Sequence, residues 1–331
     1  MKLDFESFEN LYPKIQYWED SLNKEEHKPA LYKTSQHENK SRNIIINPKN
    51  KSFSKNDYGD VQFWRLEMID LAAKLIGNEI NGDCMEIGAG KGLASAYISS
   101  KTNVKKVISL DYSMSSLCQL QPKAHYNFKF TDPSKIQRIY GSYNNIKVKE
   151  LSFVFAFGAL HNSTDLKETF QEIYNSLSEN GYLISSDMSE NFSITLNEEN
   201  LLTDRINPNS INDYGEECTY RESNDYFRSI IDYIYFAKQA GFRVYPFIFD
   251  KQGIKKTPKY LNSCYGQENS IKSFYPKNAR GRFDNTLLIC YKEKKNNSFL
   301  INKEKNKFSV NNLPWKFRKK LRNMLNKFIE F

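Results

Sequence analysis

The chain lacks what a membrane-spanning or disulfide-stapled protein requires. In its 331 residues no uninterrupted apolar run reaches the roughly 18 residues of a transmembrane helix. Cysteine is scarce. The five residues Cys84, Cys118, Cys218, Cys264 and Cys290 are odd in number and include no C-x-x-C pair. That pattern excludes a disulfide framework and a zinc clip, and it predicts reduced thiols in a cytosolic protein. Asp4 and Glu6 interrupt the apolar segment that a signal peptide needs, so secretion is not expected. No internal repeat stands out. What is abundant is aromatic, at 14% of the chain, and this argues against general disorder because disordered chains lack groups to bury.

Net positive charge is missing from most of the molecule. Residues 294–331 hold 11 of the 48 Lys and Arg residues and two acids, Glu304 and Glu330, which accounts for the whole net charge of +9. Residues 1–293 carry 37 basic and 37 acidic residues and are formally neutral. A neutral body gives no support for a nucleic-acid groove. The basic tail is therefore the partner-seeking part. After Pro314, apolar groups at Phe317, Leu321, Met324, Leu325, Phe328 and Ile329 keep to one helical face, with Trp315 at its start and Lys and Arg filling most of the rest. Such a helix over 314–331 suits peripheral contact with an anionic membrane, and equally suits docking on its own domain. The expected location is the cytoplasm, with the inner membrane face as the tail's candidate partner.

Residues 1–59 read as an N-terminal arm or cap of short elements. From Asp60 the pattern turns helical, with Phe63, Leu66, Ile69, Ala72, Ala73 and Ile76 in register and Gly77 as a stop. Short apolar strands follow at Asp83–Ile87, Lys106–Leu110, Arg138–Tyr140, Phe153–Leu160 and Tyr182–Ser186. Helical stretches separate them at Leu93–Ser100, around Ser113–Leu120 and at Asp165–Leu177, the last ended by Ser178–Gly181. This alternation specifies a parallel sheet with helices on both faces. Residues 188–225 read as a polar, substrate-facing insertion. A helix from Tyr226 to about Gly241 and two β-rich runs, Phe242–Phe249 and Phe283–Tyr291, close a domain spanning 60–293.

The chemistry concentrates where a strand runs into Gly88-Ala89-Gly90-Lys91-Gly92 and then a helix. Glycines there permit a sharp turn and let a ligand approach the main chain, and the helix offers N–H groups to a negatively charged ligand group. Leu93 stands where the dinucleotide fingerprint needs its third glycine, and the phosphate-cradling lysine motif is absent. Asp111 ends the second strand, 19 residues beyond Gly92, placed to accept both hydroxyls of a ribose. Lys91 reads as solvent-facing. His27, His37 and His125 read as lying in polar surroundings without ligand spacing, so no metal is expected.

E-I-G-A-G-K-G, then L-D-Y-S, then F-A-F-G-A-L-H-N resemble the class I S-adenosylmethionine-dependent methyltransferases over about residues 60–293. The resemblance implies a Rossmann-like αβα sandwich whose mostly parallel seven-stranded sheet ends in a reversed strand pair. It implies S-adenosyl-L-methionine as cofactor. Glu86, Gly88, Ala89, Gly90 and Gly92 would then lie around the methionine portion. Asp111, with Tyr112 beside it, would hold the ribose. Ser142 and Tyr143 would occupy the adenine position, and Phe157, within the fourth strand, would be a further cofactor contact. Ser142 and Ser152 stand where many members carry acids.

His161, after the fourth strand, is a candidate base for a hydroxyl acceptor, or else a residue that hydrogen-bonds its loop or contacts the methionine end. Asp187, closing the fifth strand, is a candidate base or metal ligand, or else a cap. Glu216, Glu217, Tyr220, Arg221 and Glu222 could line an acceptor pocket, or start a solvated helix. The expected activity is O-methylation of a small-molecule or saccharide acceptor in a surface-glycan pathway. RNA or protein methylation and a non-catalytic cofactor-binding subunit are the alternatives.

Overall fold

The structure is a computed structural model that describes residues 4–18, 60–128, 131–187, 204–211, 217–219, 226, 228, 230–248, 259–260 and 286–293. The basic tail, His27, His37 and most of the polar cluster at 216–222 lie outside the described residues. Among the described residues no helix is long and apolar enough to cross a membrane.

The strands that follow Gly77 are short and apolar on both faces, which suits a sheet covered on both sides. They are β2 (Gly82–Ile87), β3 (Val104–Asp111), β4 (Ile136–Tyr140), β5 (Leu151–Phe157) and β6 (Leu177–Ser186). All five pair in parallel, in the order β4-β3-β2-β5-β6. The antiparallel pair β9 (Arg243–Ile248) and β11 (Thr286–Tyr291) completes the seven expected strands. Of the two only β11 is reversed: it inserts between β6 and β9 and runs against both.

Among the described residues the sheet has nine strands, not seven. Two-residue strands at the edges, β1 (Gln16–Tyr17) on β4 and β10 (Lys259–Tyr260) on β9, account for the difference. Two residues leave no periodicity to read. A separate antiparallel ribbon, β7 (Ile206–Ile211) with β8 (Glu217–Thr219), lies within the stretch expected to be irregular.

Successive strand residues divide between two cores. Met85, Ile87, Ile108, Leu110, Val154 and Ala156 pack with α5 (Leu166–Ser176) and α6 (Ile230–Gln239). Cys84, Val107, Phe153, Phe155 and Phe157 pack with α1 (Phe5–Glu9), α2 (Asp60–Ile76), α3 (Leu93–Ser99) and α4 (Gln121–Asn127). The result is the expected three-layer αβα sandwich.

Several boundaries move for local reasons. β5 stops at Phe157 because Gly158 turns at φ +65° and residues Leu160–Asn162 wind into a 3-10 turn. The helix expected around Ser113–Leu120 is a π turn at Ser116–Leu120 that runs on into α4; Pro122 inside this run has no N–H to give, and the Leu117 carbonyl five residues back accepts from Arg138 Nη1 instead. Ser178–Gly181 belong to β6, with Asn180 at φ +67° taking up the change of direction. Tyr226 precedes α6, which starts at Ile230.

Candidate active site

Strand order reverses between β2 and β5, and in open α/β sheets ligands bind at the carboxyl ends of such a pair. The glycine turn leaves β2 there. Gly88 adopts φ +58°, and a Cβ built on it would lie 2.7 Å from the Ala159 Cβ in the loop after β5. The two loops thus meet in a contact that only glycine admits. Gly92 adopts φ +65° at the start of α3, and a Cβ there would strike His125 Nε2 at 2.6 Å. At Gly90, in contrast, an added Cβ would meet nothing within 4 Å, so the turn has one open side.

Asp111 reaches this turn from the end of β3. Its Oδ2 accepts from the Gly90 N–H at 2.6 Å and its Oδ1 from the Ser113 N–H at 2.7 Å. The carboxyl is buried, which raises its pKa against the lowering effect of the backbone donors around it. Each oxygen keeps acceptor capacity beyond its backbone partner, as a diol would require.

Glu86 sits beneath the turn. Its Oε2 accepts from Ser95 N–H at 2.7 Å and Ser95 Oγ–H at 2.6 Å, and desolvation raises its pKa to about 7. The N–H groups at the start of α3, expected to face a ligand, are met in part by this side chain. Lys91, expected to face solvent, is partly buried, which lowers its pKa. His125 is also misjudged by the sequence: it is fully buried, and desolvation pushes its pKa down to about 4.

Tyr143 ties the edge together. Its hydroxyl donates to the Ala159 carbonyl at 3.2 Å, and its ring lies 3.9 Å from where a Gly88 Cβ would be. Burial, with Tyr112, Asp187, Asp111 and Tyr226 nearby, holds its pKa far above the ordinary value. Ser142 is buried and its Oγ accepts from Asn144 N–H at 3.1 Å. Ala89 N–H donates to the Leu110 carbonyl at 3.1 Å. Phe157 packs on the Phe155 ring, centroids 6.2 Å apart.

His161 and Asp187 come from different loops and meet. His161 Nδ1 lies 2.5 Å from Asp187 Oδ1, with both side chains almost wholly buried. Asp187 Oδ2 also accepts from the N–H groups of Ala159 at 2.8 Å and Leu160 at 2.6 Å. One carboxylate therefore shapes the loop after β5 and orients the imidazole on it. A carboxylate accepts, so Nδ1 donates and Nε2 is the basic nitrogen.

Two participants had no readable signal. Tyr226 N–H donates to the His161 carbonyl at 3.0 Å, a pairing across 65 residues. Ser186, beside Phe157 in the β5–β6 pairing, has its hydroxyl buried with no hydrogen-bond partner among the described residues. Among the described residues no cluster of His, Cys, Asp and Glu fits a metal ion.

Residues 85–185 match the family model of a methyltransferase domain. No curated protein matches the chain. Among solved structures it is similar to a protein assigned as a sarcosine dimethylglycine methyltransferase from Galdieria sulphuraria, at 20% identity and a TM-score of 0.41, covering 56% of this chain and 61% of that one. It is also similar to a protein assigned as an S-adenosylmethionine-dependent methyltransferase from Listeria monocytogenes, at 16% identity and a TM-score of 0.45, covering 70% of this chain and all of that one. A third is phosphoethanolamine N-methyltransferase 2 of Haemonchus contortus in complex with S-adenosyl-L-methionine, at 13% identity and a TM-score of 0.46, covering 77% and 60%. At such identities nothing about substrate passes from these proteins to this chain.

Proposed function

We propose that the protein, whose residues 85–185 match a methyltransferase domain, is a class I S-adenosylmethionine-dependent methyltransferase that methylates a hydroxyl of a small-molecule or saccharide acceptor. The sulfonium donor supplies an electrophilic methyl group, so alignment and exclusion of water account for much of the rate. The site residues fit such a donor. The turn at Gly88–Gly92 leaves one side open at Gly90, where the methionine portion would lie. Asp111 would accept the ribose hydroxyls, and Tyr112, Ser142 and Tyr143 would flank the adenine. Glu86 and Phe157 would support that surface from below.

The observation that carries the oxygen acceptor is the His161–Asp187 pair on the ligand-binding edge. With Nδ1–H committed to Asp187, His161 Nε2 takes the acceptor's proton as the new C–O bond forms and the sulfur–methyl bond breaks. The neutral body favours an uncharged acceptor over RNA, and residues 188–225 are polar enough to face a sugar. A surface-glycan precursor, met at a membrane face through the basic tail, combines these features.

The test is incubation with methyl-labelled donor and separate pools of sugar nucleotides, lipid-linked glycans and RNA. Label entering a glycan pool supports the proposal, and label entering only RNA overturns it. Against the responsive pool, His161→Ala should lower turnover by roughly 10²- to 10⁴-fold, with donor affinity unchanged. Unaltered turnover would exclude His161 as the base.

A further inference from the structure

Buried polar side chains concentrate under the glycine turn, on the face away from His161. Two carbonyls of the turn point into the protein and both are met from α4. Gln121 Nε2 donates to the Gly90 carbonyl at 3.1 Å, and Gln121 Oε1 accepts from Ser109 Oγ at 3.1 Å. One helical turn on, His125 Nε2 meets the Gly92 carbonyl at 2.7 Å. That carbonyl also accepts the Ala96 N–H at 2.8 Å, which is the first hydrogen bond of α3.

The tautomer of His125 follows from its partners. The Gly92 carbonyl can only accept, so Nε2 carries the hydrogen. Burial keeps the ring neutral, so Nδ1 must then accept. Its partner is the Tyr12 hydroxyl at 2.6 Å, which has to donate. Tyr12 comes from the N-terminal segment. That segment is stitched to the body at the Tyr126 ring, which Phe5 and Phe8 approach at 5.4 Å, and along β4, where Gln137 Nε2 donates to the Lys14 carbonyl at 2.7 Å. The Arg138 guanidinium lies 4.4 Å from the centre of the Tyr12 ring, over one face, and is itself held by Nη1 donating to the Leu117 carbonyl at 2.8 Å.

We infer that Tyr12 and His125 are positioning residues for the donor-binding turn: the docked N-terminal segment, through the Tyr12 hydroxyl, holds the His125 ring in place, and His125 in turn fixes the Gly92 carbonyl and the left-handed bend. This rests on the donor-binding reading of that turn. Neither side chain touches the open side of Gly90, so the relay acts through the backbone. Losing the Tyr12 hydroxyl takes away the donor to Nδ1, and the ring is then free to move off the Gly92 carbonyl. The turn then samples other bends, and binding is reduced by the fraction of time it spends in them.

The test uses the full chain and Tyr12→Phe, which removes one hydrogen-bonding group and keeps the ring. Calorimetric titration with S-adenosylmethionine should show affinity weakened about five- to tenfold, consistent with one lost hydrogen bond. Nitrogen-15 spectra should show the Nε2–H tautomer of His125 in the wild type and in the variant, since the Gly92 carbonyl is present in both. Amide exchange at Gly90 and Gly92 should quicken in the variant. His125→Gln, which can still donate to Gly92, should bind more tightly than His125→Leu. Unchanged affinity and unchanged exchange in Tyr12→Phe would overturn the relay. A wild type that shows the spectrum but binds no S-adenosylmethionine would overturn the donor reading and leave the relay standing.

Discussion

At the scale of single residues the site is governed by buried carboxyls, each satisfied by the backbone. Asp111 holds Gly90 and Ser113 through N–H donors while keeping acceptor capacity for a diol. Asp111→Ala should weaken S-adenosylmethionine binding at least tenfold in calorimetry, about 1.4 kcal/mol or more, the scale of hydrogen bonds to a charged group. Unchanged affinity would remove Asp111 from the donor site. Glu86 gives a pH signature instead. Unfolded, its carboxyl titrates near 4.5; folded, near 7. Between those values the native state holds the proton, so the contribution is complete below pH 4.5 and is lost as pH rises through 7. The difference corresponds to about 3 kcal/mol. In Glu86→Gln the fall in stability between pH 4.5 and 7, read from urea unfolding, should largely disappear.

At the scale of elements, the parallel strands were legible because each is a short apolar run covered on both faces, and the long helices because their apolar positions repeat. Asp111 and the three glycines were legible too, since a strand followed by a glycine turn and a later acid is a local pattern. Loop-to-loop contacts were not, because they join residues without fixed spacing. Gly88 shows the difference. Sequence marks it as a turn glycine, but only the fold shows that Ala159 from the loop after β5 occupies the space a side chain would need. Gly88→Ala should cost about 2–4 kcal/mol through backbone strain and overpacking. Adding Ala159→Gly should recover the overpacking part and leave the strain. If thermal unfolding of the double variant shows no recovery, the two loops do not meet at that contact.

At the scale of the whole molecule, a neutral body of 293 residues is joined to a tail that carries the net charge. In the reading proposed above, that tail brings the enzyme to an anionic surface, where Lys and Arg each contribute about 1 kcal/mol of attraction. A chain lacking residues 311–331 should lose co-sedimentation with anionic liposomes and keep its melting temperature. A truncated chain that melts much earlier would mean that the segment packs on its own domain. The N-terminal residues change meaning at this scale as well: expected to be an arm or cap, residues 5–18 add a strand to the sheet edge and place Tyr12 on His125.

The sequence by itself determined the layered architecture, the glycine turn and the acid that faces it, because burial periodicity and glycine geometry are local properties of the chain. Only the tertiary structure decided that His161 lies against Asp187, that Glu86 supports α3 from below, and that His125 is a neutral ring wedged under Gly92. Those outcomes depend on desolvation and on pairings across tens of residues, and both exist only once the sheet has brought its strand ends together.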